Sequence, residues 1–150
     1  GISDLINSPE GTFFVEMAAF ISLDTVNRSI SLSDGSTTNR IMIQFPNALN
    51  KITGYMTIGG SVAFDEYTTS STTTDFNKIA IKWKAGTNET ALWVNGSPIA
   101  TATVTMAGAG TFNQLVFTNG YTASRLFAKV KQVQVYKTAL TNSELIALTT

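Results

Sequence analysis

Apolar and polar residues alternate with a period of two along most of this chain, the pattern of strands that bury one face. From Thr12 to Phe20, Phe13, Val15 and Met17 share one face while Phe14, Glu16 and Ala18 share the other. Ser29 to Ser33 sets Ile30 and Leu32 together and runs into Asp34-Gly35, which predicts a tight hairpin turn. Asn39 to Phe45 places Ile41, Ile43 and Phe45 inward, with Arg40, Met42 and Gln44 pointing away. Pro46 ends that strand because it has no N–H to give a ladder. Ile52 to Ile58 and Ser61 to Tyr67 read as two further strands split by Gly59-Gly60, and the Ser/Thr run Thr68 to Thr74 reads as a strand edge or a polar loop.

The second half is patterned more sharply. Phe76 to Lys84 alternates strictly, Ile79, Ile81 and Trp83 against Ala80, Lys82 and Lys84. Ala91 to Asn95 opposes Leu92 and Val94 to Ala91 and Trp93, then enters Asn95-Gly96, the strongest hairpin signal in the chain. Ile99 to Met106 and Thr111 to Thr118 follow, the latter carrying Phe112, Leu115 and Phe117. In the last strand Val130 is out of step with Val133 and Val135, so one extra residue near Lys131-Gln132 predicts a β-bulge. Thr141-x-x-Glu144 is a capping box for a short helix with Leu145 and Leu148 on its buried side. Many short strands, turn residues between them and one terminal helix predict an all-β protein, a two-sheet antiparallel β-sandwich with a short C-terminal helix.

Composition narrows the chemistry. The 150 residues suit one domain with a full-sized core. Opening on Gly rather than Met is read as a sign that residues 1–150 are a fragment of a longer protein. Charged residues make up 13% of the chain, about half the usual ~25%, and ten basic side chains balance ten acidic ones. That balance offers no electrostatic footprint for nucleic acid or an anionic membrane, and no apolar run is long enough for membrane insertion. The chain has neither His nor Cys, which removes imidazole and thiol catalysis, disulfides and ordinary zinc sites.

From about Phe76 onward the chain resembles the laminin G-like, concanavalin A-like jelly rolls. Ile79-Ala80-Ile81-Lys82-Trp83 is similar to that family's strand before its central hairpin, and Leu92-Trp93-Val94-Asn95-Gly96 to the hairpin itself. Val133 to Leu145 resembles its closing strand, Ala-Leu-Thr corner and helix. The same segments are similar to modules of bacteriophage structural or tail proteins. Two departures stand out: Ala128 replaces the Gly usual before the closing strand, and the acidic residues of the family's calcium site have no clear counterparts. The resemblance implies a sandwich that recognises a ligand on a virion or outside a cell, with other subunits of a virion or surface assembly as partners.

Relatives of this sandwich that cut glycans need carboxylates on one strand, spaced so that alternate side chains share a face and act as acid and nucleophile. Asp65-Glu66 is the only adjacent acidic pair, and strand neighbours point to opposite faces, so no enzyme is expected. Asp24, Asn27, Asp34, Asn39, Asp65 and Glu66 offer oxygens without the spacing of a calcium loop. The metal is therefore unknown: no cofactor is expected, and calcium stays open. Recognition is expected to rest on Trp93, Tyr121, Arg125, Tyr55, Tyr67 and Arg40. If Leu92 and Val94 face the core, Trp93 stands on the other face, where its indole either stacks on a sugar or lies beneath a loop or the terminal helix. Tyr121 and Arg125 fall in a polar loop, and Arg40 lies on the open side of its strand. The expected function is non-enzymatic binding of a cell-surface glycan or polysaccharide; the alternative is a structural or protein-docking module.

Overall fold

A computed structural model describes residues 1–150. Ten strands follow one another: β1 Glu10–Ala19, β2 Arg28–Ser33, β3 Arg40–Phe45, β4 Ile52–Ile58, β5 Ser61–Thr68, β6 Asn77–Lys84, β7 Thr90–Val94, β8 Ser97–Ala102, β9 Gln114–Val116 and β10 Ala128–Tyr136. A helix, α1 Asn142–Thr149, closes the chain. The strands form two antiparallel five-stranded sheets, a first of order β10-β1-β6-β7-β8 and a second of order β5-β4-β3-β2-β9. The sandwich and its terminal helix are as the pattern predicts, and the jelly-roll class is as the resemblance implies.

Between the sheets lies a core of 21 buried residues, among them Phe13, Val15, Met17, Ile30, Leu32, Ile41, Ile43, Phe45, Ile79, Ile81 and Trp83. These are the inward sets of the alternating segments. The Trp83 indole N–H donates to the carbonyls of Asn7 and Ser8, so its one polar atom is satisfied at the end of the core. Gly11 permits this packing: a Cβ there would sit 2.4 Å from the Trp83 ring and 2.8 Å from the Tyr136 carbonyl. A second cluster lies outside the first sheet. Phe14, Ala80, Ala91 and Trp93 point outward from β1, β6 and β7 and are buried by Leu140 and Leu145.

Local signals locate the joints. Asn95 and Gly96 take φ of 50° and 84°, the left-handed pair that a two-residue turn needs, and Val94 pairs with Ser97. The bulge falls where parity broke: Glu16 faces Gln132 and Met17 faces Val130, leaving Lys131 extra. Thr141 Oγ1 accepts from the Glu144 N–H and the Glu144 carboxylate accepts from the Thr141 N–H, closing the capping box.

Three expectations need correction, the first being the strand expected from Ile99 to Met106, which is Ser97–Ala102 with residues 103–108 outside any strand. Asp34-Gly35 is not a two-residue turn, because Ser33 pairs with Arg40 and residues 34–39 form a longer loop. Its organiser is the Asp34 carboxylate, which accepts from the Ser36 N–H, the Ser36 hydroxyl and the Asn39 amide. The strand expected from Thr111 to Thr118 shrinks to Gln114–Val116. Ahead of it Phe112 turns into the core, with its N–H on the Ser8 hydroxyl rather than on a neighbouring strand.

Candidate functional site

The two outer faces are dressed differently. Leu140, just ahead of helix α1, and Leu145 within it cover the middle of the first sheet, whereas no α-helix lies over the second. Register fixes what the second sheet shows outward. Ser29, Ser31 and Ser33 of β2 pair with Gln44, Met42 and Arg40 of β3. Those residues pair in turn with Thr53, Tyr55 and Thr57 of β4, and Tyr55 and Thr53 with Asp65 and Tyr67 of β5. The face is polar and aromatic because Ile30, Leu32, Ile41, Ile43, Ile52 and Met56 of these strands are spent on the core.

A depression of about 320 Å³ opens on this face, floored by Arg40, Met42, Thr53 and Tyr55. Lys51 and Asp65 form one wall, and Asn27, Asn119 and Ser124 the other. The Arg40 guanidinium carbon lies 5.1 Å from the Tyr55 ring centroid, a cation–π distance. One of its terminal nitrogens donates to the Asn119 carbonyl, while its buried Nε has no partner. A guanidinium carries five N–H donors in a planar fork that matches a carboxylate, so most of its capacity is left over. Beside it the Lys51 ammonium lies 3.9 Å from the Tyr67 ring.

The Asn119 wall is held by the sheet. Ser31 donates its hydroxyl to the Thr118 carbonyl at 2.7 Å, and Ser33 to the Gly120 carbonyl at 2.9 Å. The Ser29 N–H donates to the Ser124 carbonyl at 2.9 Å. Gly120 sits at φ +98° with the Arg40 Cδ 3.2 Å from where its Cβ would be, so the loop closes onto Arg40 only with glycine there. The neighbouring β2–β3 loop depends on Asp34. Burial alone would raise its pKa, but the hydrogen bonds from Asn39 and Ser36 outweigh that and hold it below the usual carboxylate range.

Of the six residues expected from sequence, Arg40 and Tyr55 meet at the floor of this depression, and Tyr67, 54% exposed, stands beside it on Lys51. Arg125 lines a neighbouring apolar groove with Val26 and Phe127, joined to the depression through Asn27 and Ser124. Tyr121 is 62% exposed at the loop and does not line it. Trp93 requires correction. It lies on the other sheet and is 4% exposed, because Leu140 and Leu145 seal its ring against Phe14. An indole so covered offers no face for stacking.

Lys51, Gln44, Asn119 and Ser124 were not expected in the site. Parity could have found the first two: Gln44 shares a face with Arg40, and Lys51 precedes β4 in step with Thr53 and Tyr55. Asn119 and Ser124 carry no such signal, since a loop distant in sequence brings them there. No three Asp or Glu side chains gather closely enough to hold a metal ion, and the Asp34 oxygens are occupied within their own loop.

The family model of the concanavalin A-like lectin/glucanases superfamily matches residues 16–146. The fold is similar to the CBM40 domain of the Ruminococcus gnavus IT-sialidase bound to α2,3-sialyllactose, with 21% identity, a TM-score of 0.71, and 99% of this chain and 86% of that one covered. The leech intramolecular trans-sialidase complexed with 2,7-anhydro-Neu5Ac is similar at 19% identity and a TM-score of 0.68, over 95% of this chain and 23% of that one. A heptameric SAP-like pentraxin from Limulus polyphemus is similar at 12% identity and 0.62, over 94% and 70%. None of the curated proteins matches the sequence.

Proposed function

We propose that this chain, which belongs to the concanavalin A-like lectin/glucanases superfamily, is a non-enzymatic module that binds an acidic glycan on the open face of its second sheet. The observation that carries the reading is Arg40, laid against Tyr55 at the floor of an open depression with donors to spare. Lys51 adds a second cation and Asp65 the one carboxylate, so the lining is net positive and suits a sugar acid. The carboxylate would take the Arg40 fork, and the ring would rest between Tyr55 and Tyr67, its hydroxyls on Gln44, Asn119 and Ser124. Likeness of fold to a domain crystallised with α2,3-sialyllactose makes a sialylated glycan the first ligand to try. Most glycoside hydrolysis uses two carboxylates across a cleft, and sialidases, with a Tyr nucleophile, are an exception. Asp65 stands alone in this depression, and binding without catalysis is the reading.

The extracellular or virion setting, with neighbouring subunits supplying avidity, rests on the resemblance of the closing half to phage tail modules. A protein-docking role has one observation in its favour: Phe20, Ile21, Leu23, Val26 and Phe127 are all exposed around one end of the sandwich.

Calorimetric titration with α2,3-sialyllactose, with lactose as the neutral control, tests the proposal. Saturable binding of the sialylated sugar alone is expected, and Arg40→Met and Tyr55→Ala should each weaken it by roughly ten-fold or more. Equal behaviour of the two sugars, or wild-type affinity in both variants with the fold intact by circular dichroism, would overturn it.

A further inference from the structure

We propose that one end of the sandwich seats on the surface of an anionic lipid bilayer. Residues 20–27, 46–51 and 69–76 and the run into β10 meet at that end. Hydrogen bonds tie these connections together at their base. The Ala19 N–H donates to the Thr73 carbonyl at 2.7 Å, and the Asn50 N–H to the Ser22 carbonyl at 3.1 Å. The Asn47 N–H donates to Asn27 Oδ1 at 2.9 Å, and the Thr73 N–H to Asn50 Oδ1 at 3.1 Å. From beneath, the buried Arg28 donates to the Ile21 carbonyl at 3.1 Å. With their polar groups so engaged, the loops turn apolar side chains outward: Phe20, Ile21, Leu23, Val26, Leu49 and Phe127 are each 51–62% exposed. They lie together. Val26 and Phe127 line one groove, Phe20 follows the Ala19–Ala128 pair, and Leu49 precedes the Asn50 bond to Ser22. A patch of this kind marks an interaction surface.

Charge decides the class of occupant. Basic and acidic side chains cancel over the chain as a whole, but not here. Lys51 and Arg125 lie in these connections, and Lys129 and Lys131 stand beside them on β10. The Lys129 ammonium is 5.9 Å from the Phe20 ring centroid and that of Lys131 is 4.2 Å from the Phe76 ring, so cations border the apolar tips directly. The acids of the same loops are Asp24 and Asp75, and Asp24 is turned to Arg28, 3.8 Å from its Nε. A second copy docking through this end would set like charges against each other. A bilayer of anionic headgroups complements both features: the apolar tips enter the acyl boundary while ammoniums on long stems stay among the headgroups. Tips borne by separate loops also suit a fluid surface, which needs no matching shape. The groove of Val26 and Phe127 shares Asn27 and Ser124 with the depression on the second sheet, so a seated domain holds that depression beside the membrane. The proposal does not depend on the acidic-glycan reading.

The test is co-sedimentation with sugar-free vesicles, either phosphatidylcholine alone or equal parts phosphatidylcholine and phosphatidylglycerol. Binding to the mixed vesicles is expected, with little to phosphatidylcholine alone, and added salt should release it. Two double variants at exposed positions, Phe20→Ser with Leu23→Ser and Lys129→Gln with Lys131→Gln, should each weaken it by roughly ten-fold or more. Both should keep the wild-type circular dichroism spectrum and the wild-type response to sialyllactose. Failure to sediment with the mixed vesicles, equal binding to the two kinds, or wild-type binding in either double variant would overturn the proposal. So would a dimer in analytical ultracentrifugation that the Phe20→Ser, Leu23→Ser variant abolishes, which would make this end a protein interface. Because the vesicles carry no sugar, none of these outcomes bears on the sialyllactose result.

Discussion

Trp83 and Trp93 sit on adjacent strands and point to opposite sides of the first sheet, yet both are buried. Alternation separates them correctly and places Trp83 in the core, but it is silent on what lies above Trp93. The ring proves to be the centre of the small cluster beneath α1. Trp93→Ala is therefore expected to cost about 3–5 kcal/mol, the range for a buried aromatic cut to Ala, read as a lowered denaturation midpoint. Affinity for sialyllactose should not change in the folded variant, and a selective loss of that binding would return Trp93 to the acidic-glycan site. Arg40 shows the converse. Parity put it outward, and outward it remains, because its neighbours Ser33 and Thr57 are too small to cover it and the Asn119 loop meets it from one side only.

Helix α1 is eight residues long, too short to stand alone in water, so it depends on its cap and on Leu145. The Thr141 N–H and hydroxyl hold the Glu144 carboxyl below the usual range, and the hydrogen bonds from Asn39 and Ser36 do the same for Asp34 against the effect of burial. Both folded pKa values lie below their unfolded ones. Each group thus contributes stability above its unfolded pKa, near ~4, and loses it as pH falls through the folded value. Thermal melts should show the midpoint falling with acid below about pH 4, less steeply in the Glu144→Gln, Asp34→Asn double variant. Identical acid limbs would remove both carboxylates from the account. The bulge at Lys131, the Asn95-Gly96 turn and this cap were all legible in the sequence, because each is made by residues close together in the chain. The β2–β3 loop misled for the same reason: Asp34-Gly35 has the residues of a tight turn, but Asp34 closes a wider loop onto Asn39.

Across the whole molecule, charges cancel, so attraction of an acidic ligand must come from Arg40 and Lys51 at close range. Affinity for sialyllactose should then fall by only roughly two- to five-fold between about 10 and 150 mM salt, as screening shortens from ~30 to ~8 Å. A steeper loss in calorimetry would require a wider basic surface than the depression has. The sandwich has two outer faces, one capped by its own C-terminus and one left open, and the proposed acidic-glycan site lies on the open one. The sequence by itself determined the strands, their inward sets, the bulge, the hairpin and the capped helix, since each follows from side-chain period or from residues in one turn. Only the tertiary structure decided that α1 covers Trp93 and that the Asn119 loop walls Arg40. Period states which residues share a face; what lies over that face is set by segments distant in the chain.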